Sequence, residues 1–206
     1  MLLFELFEQT TKDIVVVYPG RFQPFHKGHK MVYDHLCEQY NAKNVFISTS
    51  NKVDDYDNPF NFSEKLQIME CVGIDPTKVV ETTHPYRVRE LTKNYDPSST
   101  ILVCAVSHKD MLSNPRFNFK NKRDGSPSYY QPIPKNISVA KPLREHGYIL
   151  TVPTFDFTLL GQPMKSSSEL RARFASATPK TRKEINEDLF GSYNEAMYLL
   201  MNSRIK

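Results

Sequence analysis

The amino-acid sequence predicts an α/β protein: a doubly wound parallel sheet of about five strands with a C-terminal helical extension. Short runs of β-branched and apolar residues recur along the chain, as in IVVVY and ILVCAV. Continuous runs of this kind are typical of strands buried on both faces, which is how strands lie in a parallel sheet. Helix-like segments separate the runs, so consecutive strands are expected to be joined by right-handed crossovers.

The individual elements follow from local patterns. The strand candidates, taken in order along the chain, are residues 14–18, 45–48, 78–82, 101–106 and 148–153. Between them, apolar residues at helical spacing predict helices at 27–40, 63–72 and 86–95. After the last strand, a serine cap and a break at Gly191 predict three more helices, at 166–177, 183–190 and 193–205.

We expect one α/β domain over residues 1–178 and a helical extension over 179–206. Between the fourth and fifth predicted strands lies an irregular stretch, 108–146, with five prolines, eight basic residues and three acidic ones. Because so long a loop in a compact domain is usually functional, we interpret it as a long insertion or a lid over a ligand site. Its basic and aromatic residues at 116–130 also match the pattern of single-stranded nucleic-acid binders.

Composition argues against several classes of protein. The 27 basic residues exceed the 23 acidic ones by too little to indicate a nucleic-acid binder. No apolar run approaches the roughly 18 residues of a membrane span, and Glu5 and Glu8 interrupt an N-terminus that lacks the basic start of a signal peptide. Three cysteines without a CxxC pair favour neither disulfides nor zinc: Cys37, Cys71 and Cys104. We therefore expect a cytoplasmic protein without membrane or nucleic-acid partners.

The segment GRFQPFHKGH, directly after the first predicted strand, carries the first group of candidate residues. Ligands of doubly wound sheets bind at the carboxyl ends of the strands. Gly20 permits close backbone approach there, and the N–H groups of a helix beginning near residue 27 would face an anion. Charged and hydrogen-bonding side chains converge on the same volume: Arg21, His26, Lys27 and His29. These features indicate a polyphosphate site.

The segment KSSSELR, beyond the last predicted strand, carries the second group. Serine side chains cap helices, and the free N–H groups of the first turn bind phosphate. Arg171 lies one turn into this helix and can clamp a pyrophosphate group. The three hydroxyls that could share in this are Ser166, Ser167 and Ser168.

GRFQPFHKGH resembles the HxGH signature of the nucleotidyltransferase superfamily, in a form most similar to archaeal-type nicotinamide mononucleotide (NMN) adenylyltransferases. KSSSELR stands where that superfamily has its second signature, roughly ISSTxxR, with Lys165 in place of an apolar residue. The resemblance implies a Rossmann-like fold in which His26, His29 and Arg171 are catalytic. It also implies an ATP site formed by Gly20, Arg21, Phe22, Lys27, Gly28, Asp110, Ser166, Ser167 and Ser168.

A third segment, NPFNFSEK, resembles the NPFTxGER segment of the archaeal-type enzymes, whose arginine contacts substrate phosphate. Lys65 takes that position here, which keeps the charge but loses bidentate recognition. The resemblance implies an acceptor site containing Asn58, Phe60, Lys65, Arg87 and Arg89. The alternative interpretations are structural. NPFNFSEK can be an Asn-Pro turn before a helix, and Arg87 and Arg89 can lie on a solvated helix face.

The resemblance implies transfer of AMP from ATP to NMN, giving NAD and pyrophosphate, with Mg²⁺ carried by ATP and no dedicated metal ligands. The archaeal-type enzymes enclose nicotinamide in an aromatic clamp, often with a tryptophan. This chain has no tryptophan, so Tyr86 or Phe117 would take its place in the clamp. Adenylyl or cytidylyl transfer to another small phosphorylated acceptor, or a noncatalytic nucleotide-binding role, remain alternatives, and homo-oligomer formation is open.

Overall fold

A computed structural model describes residues 12–112 and 117–206, with the side chain of Lys109 left out. The N-terminal residues 1–11, where the sequence argued against a signal peptide, lie outside the described residues. Residues 113–116 of the predicted loop also lie outside them. Among the helices that are described, none is long and apolar enough to cross a membrane.

A six-stranded sheet forms the centre of the fold, and all of its pairings are parallel. The strand order is β3-β2-β1-β4-β6-β5, so the chain builds outward from β1 in one direction and then continues from β4 in the other. The point between β1 and β4, where the direction reverses, is where doubly wound sheets bind ligands. The sheet strands are β1 (Ile14–Pro19), β2 (Val45–Thr49), β3 (Val79–Glu81), β4 (Ile101–Ser107), β5 (Tyr130–Pro132) and β6 (Gly147–Val152).

Helices flank the sheet, and the predicted α/β class is confirmed. Alternate residues of β1 enter two different apolar clusters, since Val16 packs in the larger one while Val15 and Val17 pack in the smaller. Both faces of the strand are therefore covered, which explains why its sequence is continuously apolar. The helices are α1 (Lys27–Tyr40), α2 (Phe62–Cys71), α3 (Arg89–Thr92), α4 (Lys109–Leu112), α5 (Ser167–Ser176), α6 (Pro179–Phe190) and α7 (Glu195–Arg204).

The estimate of about five strands was too low. The short edge strand β5 lies inside the stretch predicted to be irregular and pairs with β6. A separate antiparallel hairpin follows β6, with strands β7 (Phe157–Leu159) and β8 (Gln162–Met164). Leu160 and Gly161 turn this hairpin with φ angles of 51° and 73°. Positive φ at both turn positions is what a two-residue hairpin requires.

The C-terminal helices pack on the same core as the sheet. Ile185 and Leu189 of α6 and Met197 and Met201 of α7 are buried in the larger apolar cluster. Helix α6 begins earlier than predicted because Thr178 caps it, with a proline in its first turn. The domain boundary at residue 178 stays a prediction.

Candidate functional site

A cleft of about 680 Å³ opens at the carboxyl ends of β1 and β4. Both sequence motifs reach it, one from the loop after β1 and the other from the start of α5. The sheet therefore brings together two segments that are far apart in the chain. The motif residues lining the cleft are Gly20, Arg21, Phe22, Gln23, His26, Gly28, His29, Lys165, Ser166, Ser167, Ser168 and Arg171.

The loop after β1 has a fixed shape. Gly20 donates its backbone N–H to Ser48 O at 3.0 Å. A Cβ at Gly20 would lie 2.6 Å from Phe22 Cζ, so only glycine lets the Phe22 ring fold back over the strand end. Gln23, which the sequence analysis missed, is buried, and its amide both donates to Phe60 O and accepts from Phe60 N at 2.9 Å.

His26 and His29 cap the start of α1 reciprocally. His29 N donates to His26 Nδ1 at 3.4 Å, and His26 N donates to His29 Nδ1 at 3.3 Å. This is the geometry of a capping box with imidazoles in place of the usual serine and glutamate. Because both Nδ1 atoms accept hydrogen bonds, the proton of each neutral ring lies on Nε2. Each ring is thereby left with one N–H donor for a ligand.

Burial keeps both imidazoles neutral. Desolvation lowers the pKa of His26 to about 3, against an ordinary value of 6.5. The pKa of His29 is lowered well below 6.5, first by desolvation and then by His26. His29 keeps an edge in the cleft, but aromatic rings surround its other sides, with Phe22 and Phe25 at centroid distances of 5.0 and 5.4 Å. The pair can therefore offer hydrogen-bond donors to a ligand but no formal charge.

The second motif is docked against the first. Ser166 caps α5 by accepting from Glu169 N at 3.2 Å. Ser167 Oγ donates to Pro24 O at 3.0 Å, and Arg171 Nη1 donates to Gln23 O at 2.5 Å. The helix start is thus held in register with the histidine loop. Nη2 of Arg171 lies 3.7 Å from Asp57 Oδ1.

Two predicted ATP contacts differ from the rest. Lys27 lies outside the cleft lining because its ammonium donates to Asp188 of α6 at 2.9 Å. Asp110 does line the cleft, where its carboxylate accepts from Ser107 Oγ at 2.9 Å. The backbone of Lys27 still starts α1, so Lys27 keeps its place in the motif while its side chain is paired outside the cleft lining.

The predicted acceptor residues are mostly in other surroundings. Phe60 and Lys65 are buried, with exposures of 0% and 1%, and lie outside the cleft lining. Lys65 Nζ donates to Thr49 Oγ1 at 3.0 Å and to Ser50 O at 2.5 Å, while burial lowers its pKa to about 8. Lys65 therefore stabilises the end of β2, and its contact with the acceptor phosphate stays a prediction.

Arg87 and Arg89 are exposed and also lie outside the cleft lining, and their assignment to the acceptor site stays a prediction. The expected helix at 86–95 is one turn long, and the segment before it turns His84 and Tyr86 toward the cleft instead. Asn58 does line the cleft, although its side chain donates to Asp54. Further lining residues went unnoticed in the sequence: Tyr18, Ser50, Lys52, Asp57, His84, Phe155 and Phe157.

The stretch after β4 supports one wall of the cleft. Phe117 packs edge-on against Tyr86 at 5.5 Å, and Tyr130 Oη donates to Tyr86 O at 2.6 Å. Of the described residues at 108–146, Asp110 is the one that lines the cleft. The predicted role of this stretch as a lid stays a prediction.

Comparison with known families identifies the group to which this chain belongs. The family model described as cytidylyltransferase-like matches residues 17–173, a span that contains the sheet except the first three residues of β1, both motifs and the cleft. The chain belongs to the cytidylyltransferase-like family. The kinship to nucleotidyltransferases predicted from GRFQPFHKGH and KSSSELR is thereby confirmed.

Relatives within this group carry a more specific name. A nicotinamide-nucleotide adenylyltransferase from Sulfolobus acidocaldarius is 37% identical over 68 residues, which are 31% of this chain and 39% of that protein. A second from Methanocorpusculum labreanum is 40% identical over 50 residues, or 24% of this chain and 30% of that protein. This cytidylyltransferase-like chain therefore matches well under half the length of either relative.

A solved structure has the same fold. The bifunctional NMN adenylyltransferase/ADP ribose pyrophosphatase from Francisella tularensis aligns with a TM-score of 0.52 and 20% identity. The alignment covers 94% of this chain and 49% of that protein. At this identity the likeness concerns the cytidylyltransferase-like fold alone.

Proposed function

We propose that this protein transfers AMP from ATP to NMN, producing NAD and pyrophosphate. The observation that carries the proposal is the pair of neutral, reciprocally capped histidines facing the serine-capped start of α5 across one cleft. The two groups present hydrogen-bond donors to the same volume, as binding of a triphosphate requires. The names of the archaeal relatives support adenylyl transfer to a nicotinamide nucleotide.

The ATP phosphates would lie between the two motifs. In this proposal His26 and His29 donate from Nε2 to phosphate oxygens, while Arg171 holds the pyrophosphate end. Adenosine would lie along the loop after β1 and the end of β4. The remaining proposed ATP contacts are Gly20, Arg21, Phe22, Gly28, Asp110, Ser166, Ser167 and Ser168.

The chemistry needs no covalent enzyme intermediate. An oxygen of the acceptor's phosphate attacks the α-phosphorus in line, a new P–O bond forms, and pyrophosphate leaves with the electrons of the broken bond. The contribution of the protein is to position the reactants and to stabilise the charge that develops on the leaving oxygens. Neutral imidazole donors can do this without giving up a proton.

Mg²⁺ would arrive as part of the nucleotide substrate. Among the residues that the structure describes, His, Cys, Asp and Glu form no group of three or more placed to hold a metal ion. The cleft carboxylates Asp57 and Asp110 are already engaged, with Arg171 and with Ser107 respectively. A phosphate-bridging ion that keeps most of its water suits such a donor set.

The acceptor would bind toward β2 and β3. Lys52 and Arg21 are cations of the cleft that could meet its phosphate, and Asn58 lies beside them in the lining. Tyr86 and His84 offer aromatic faces for a base. These two residues are where an aromatic clamp could form without a tryptophan.

A substrate panel tests the proposal. ATP or CTP would be combined with NMN, nicotinate mononucleotide or no acceptor, and both pyrophosphate and the dinucleotide product would be measured. The family description makes CTP the second candidate donor. We expect NAD from ATP and NMN. Pyrophosphate release with CTP but not with ATP would change the proposal to cytidylyl transfer. If no donor and acceptor pair gives a product, the enzymatic function is overturned.

A further inference from the structure

The β7–β8 hairpin lies between the last strand of the sheet and the second motif, and it packs on the first. Leu159 and Met164, one from each strand, are buried in the main core, which anchors the hairpin. Three residues after Met164 the chain begins α5. The hairpin is therefore in a position to set the distance between the two motifs.

Phe157 of β7 makes the decisive contact. Its ring lies 4.3 Å from the His26 imidazole with the planes 19° apart, so the two rings are stacked. His29 stacks with His26 at 3.7 Å and 18°. Phe157 itself is buried, with 6% of its surface exposed. A stack of this kind restricts the tilt of His26 and excludes water from the ring.

Gly28 makes room for this contact. A Cβ at Gly28 would lie 3.0 Å from Phe157 Cδ1 and 3.2 Å from Phe155 O. A side chain there would have to displace the Phe157 ring and the backbone at Phe155 by a few tenths of an ångström. The resemblance implied a place for Gly28 in the ATP site, and its contact with the hairpin is a second reason for a glycine here.

Asp188 of α6 fastens the hairpin to the same helix. One carboxylate oxygen accepts from Lys27 Nζ at 2.9 Å, and the other accepts from Leu160 N at 3.0 Å. Lys27 is the first residue of α1, and Leu160 is in the hairpin turn. The Asp188 carboxylate therefore joins α6, the β7–β8 hairpin and α1.

We propose that the β7–β8 hairpin is a positioning element for His26, with Phe157 as the contacting side chain and Asp188 as the fastener. The stack holds the imidazole in its neutral form and in one orientation, and the low pKa of His26 agrees with this. The titratable and charged groups on the elements around His26 include His29 and Lys27 of α1, Arg171 of α5, Asp188 of α6, and Asp156 and Lys165 beside the hairpin.

Proton NMR of the unliganded full-length protein tests the structural part. The chain has six histidines, and His26→Gln assigns the His26 Cε1 signal among them. In the wild type, this signal should stay constant as the pH falls from 8 to about 5. Phe157→Leu keeps an apolar side chain but loses the ring, and should raise the His26 midpoint by about two pH units or more, so that the transition enters the titrated range. A signal that stays constant down to about pH 5 in a folded Phe157→Leu variant overturns the proposal.

Thr158→Val is the matched control, because Thr158 is the exposed neighbour of Phe157 on the same strand. It should leave the His26 titration unchanged, and the other histidine signals report folding in every variant. A shift as large in Thr158→Val as in Phe157→Leu would mean that the hairpin is merely fragile, which also overturns the proposal.

The catalytic consequence rests on the proposed function and is measured separately. Phe157→Leu should lower kcat by about tenfold while the KM for ATP changes by less than about threefold. Phe157→Tyr should restore most of kcat because it restores the ring. Asp188→Asn should lower kcat by a smaller factor. If the NMR shift is found but the wild type makes no product, the positioning role stands and the proposed function fails.

Discussion

Replacing His29 by alanine separates the proposed catalytic contribution of this residue from its structural one. His29 Nδ1 accepts the His26 N–H at 3.3 Å, and its ring lies in the cleft. The substitution removes one hydrogen bond of the capping box. It leaves in place the other, which the backbone N–H of residue 29 donates to His26 Nδ1. Loss of a cap contact costs about 1 kcal/mol of stability. Removal of one preorganised donor to developing charge costs about 100-fold in turnover.

The assay compares kcat for NAD formation with the urea midpoint of the same preparation. We expect turnover to fall at least tenfold, which is about 1.4 kcal/mol in the barrier, in a protein that still unfolds cooperatively. His35→Ala is the control, because His35 belongs to the same helix and its ring contacts Gln39 and Phe155. Unchanged turnover in folded His29→Ala, or an equal loss in His35→Ala, would refute the reasoning.

Three further outcomes are expected. Because the pKa of His26 is depressed to about 3, the unfolded chain takes up a proton below pH 6.5 that the folded chain does not. His26 alone should therefore lower the stability by about 1.4 kcal/mol for each unit that the pH falls between 6.5 and about 3, and urea titrations should show a fall that is shallower by this amount in His26→Gln. Lys52→Ala should raise the KM for the acceptor about tenfold and leave that for ATP unchanged in initial-rate measurements, and the reverse pattern would contradict its placement. Lys65 has a pKa of about 8 in the fold, against 10.5 ordinarily, so its protonation opposes folding at neutral pH. The stability of the wild type relative to Lys65→Met should accordingly rise by about 2 kcal/mol between pH 7 and pH 10, and a constant difference would contradict the burial of its charge.

The fold was predictable where sequence pattern and environment coincide. Runs such as Ile14–Pro19 are apolar throughout because both faces of β1 are covered, and no other environment suits them. Strand β5 carries no such pattern: Tyr130–Pro132 is half exposed and joins the sheet through backbone pairing with β6. The hairpin had a signal that was overlooked, since Gly161 follows an apolar run and supplies one of its positive φ angles.

The burial of Lys65 could have been predicted by considering the helix rather than the motif. Lys65, Ile68 and Met69 are the buried residues of α2, and their spacing places them on one face. A lysine on an apolar helical face has to satisfy its ammonium inside the protein, as the bonds to Thr49 and Ser50 do. The motif identified a positively charged residue correctly. The helical periodicity determines that its side chain lies on the buried face of α2.

The cations of the motifs are divided between the cleft and its surroundings, and this bears on the proposed turnover. Lys27 is paired with Asp188 and Lys65 is enclosed. Arg171, which lies near Asp57, lines the cleft together with Arg21, Lys52 and Lys165. The histidines contribute hydrogen bonds without charge. A site that bound the triphosphate mainly by fixed cations would hold pyrophosphate almost as strongly and release it slowly. Neutral donors whose hydrogen bonds strengthen as charge develops on the leaving group favour the transition state over both substrate and product.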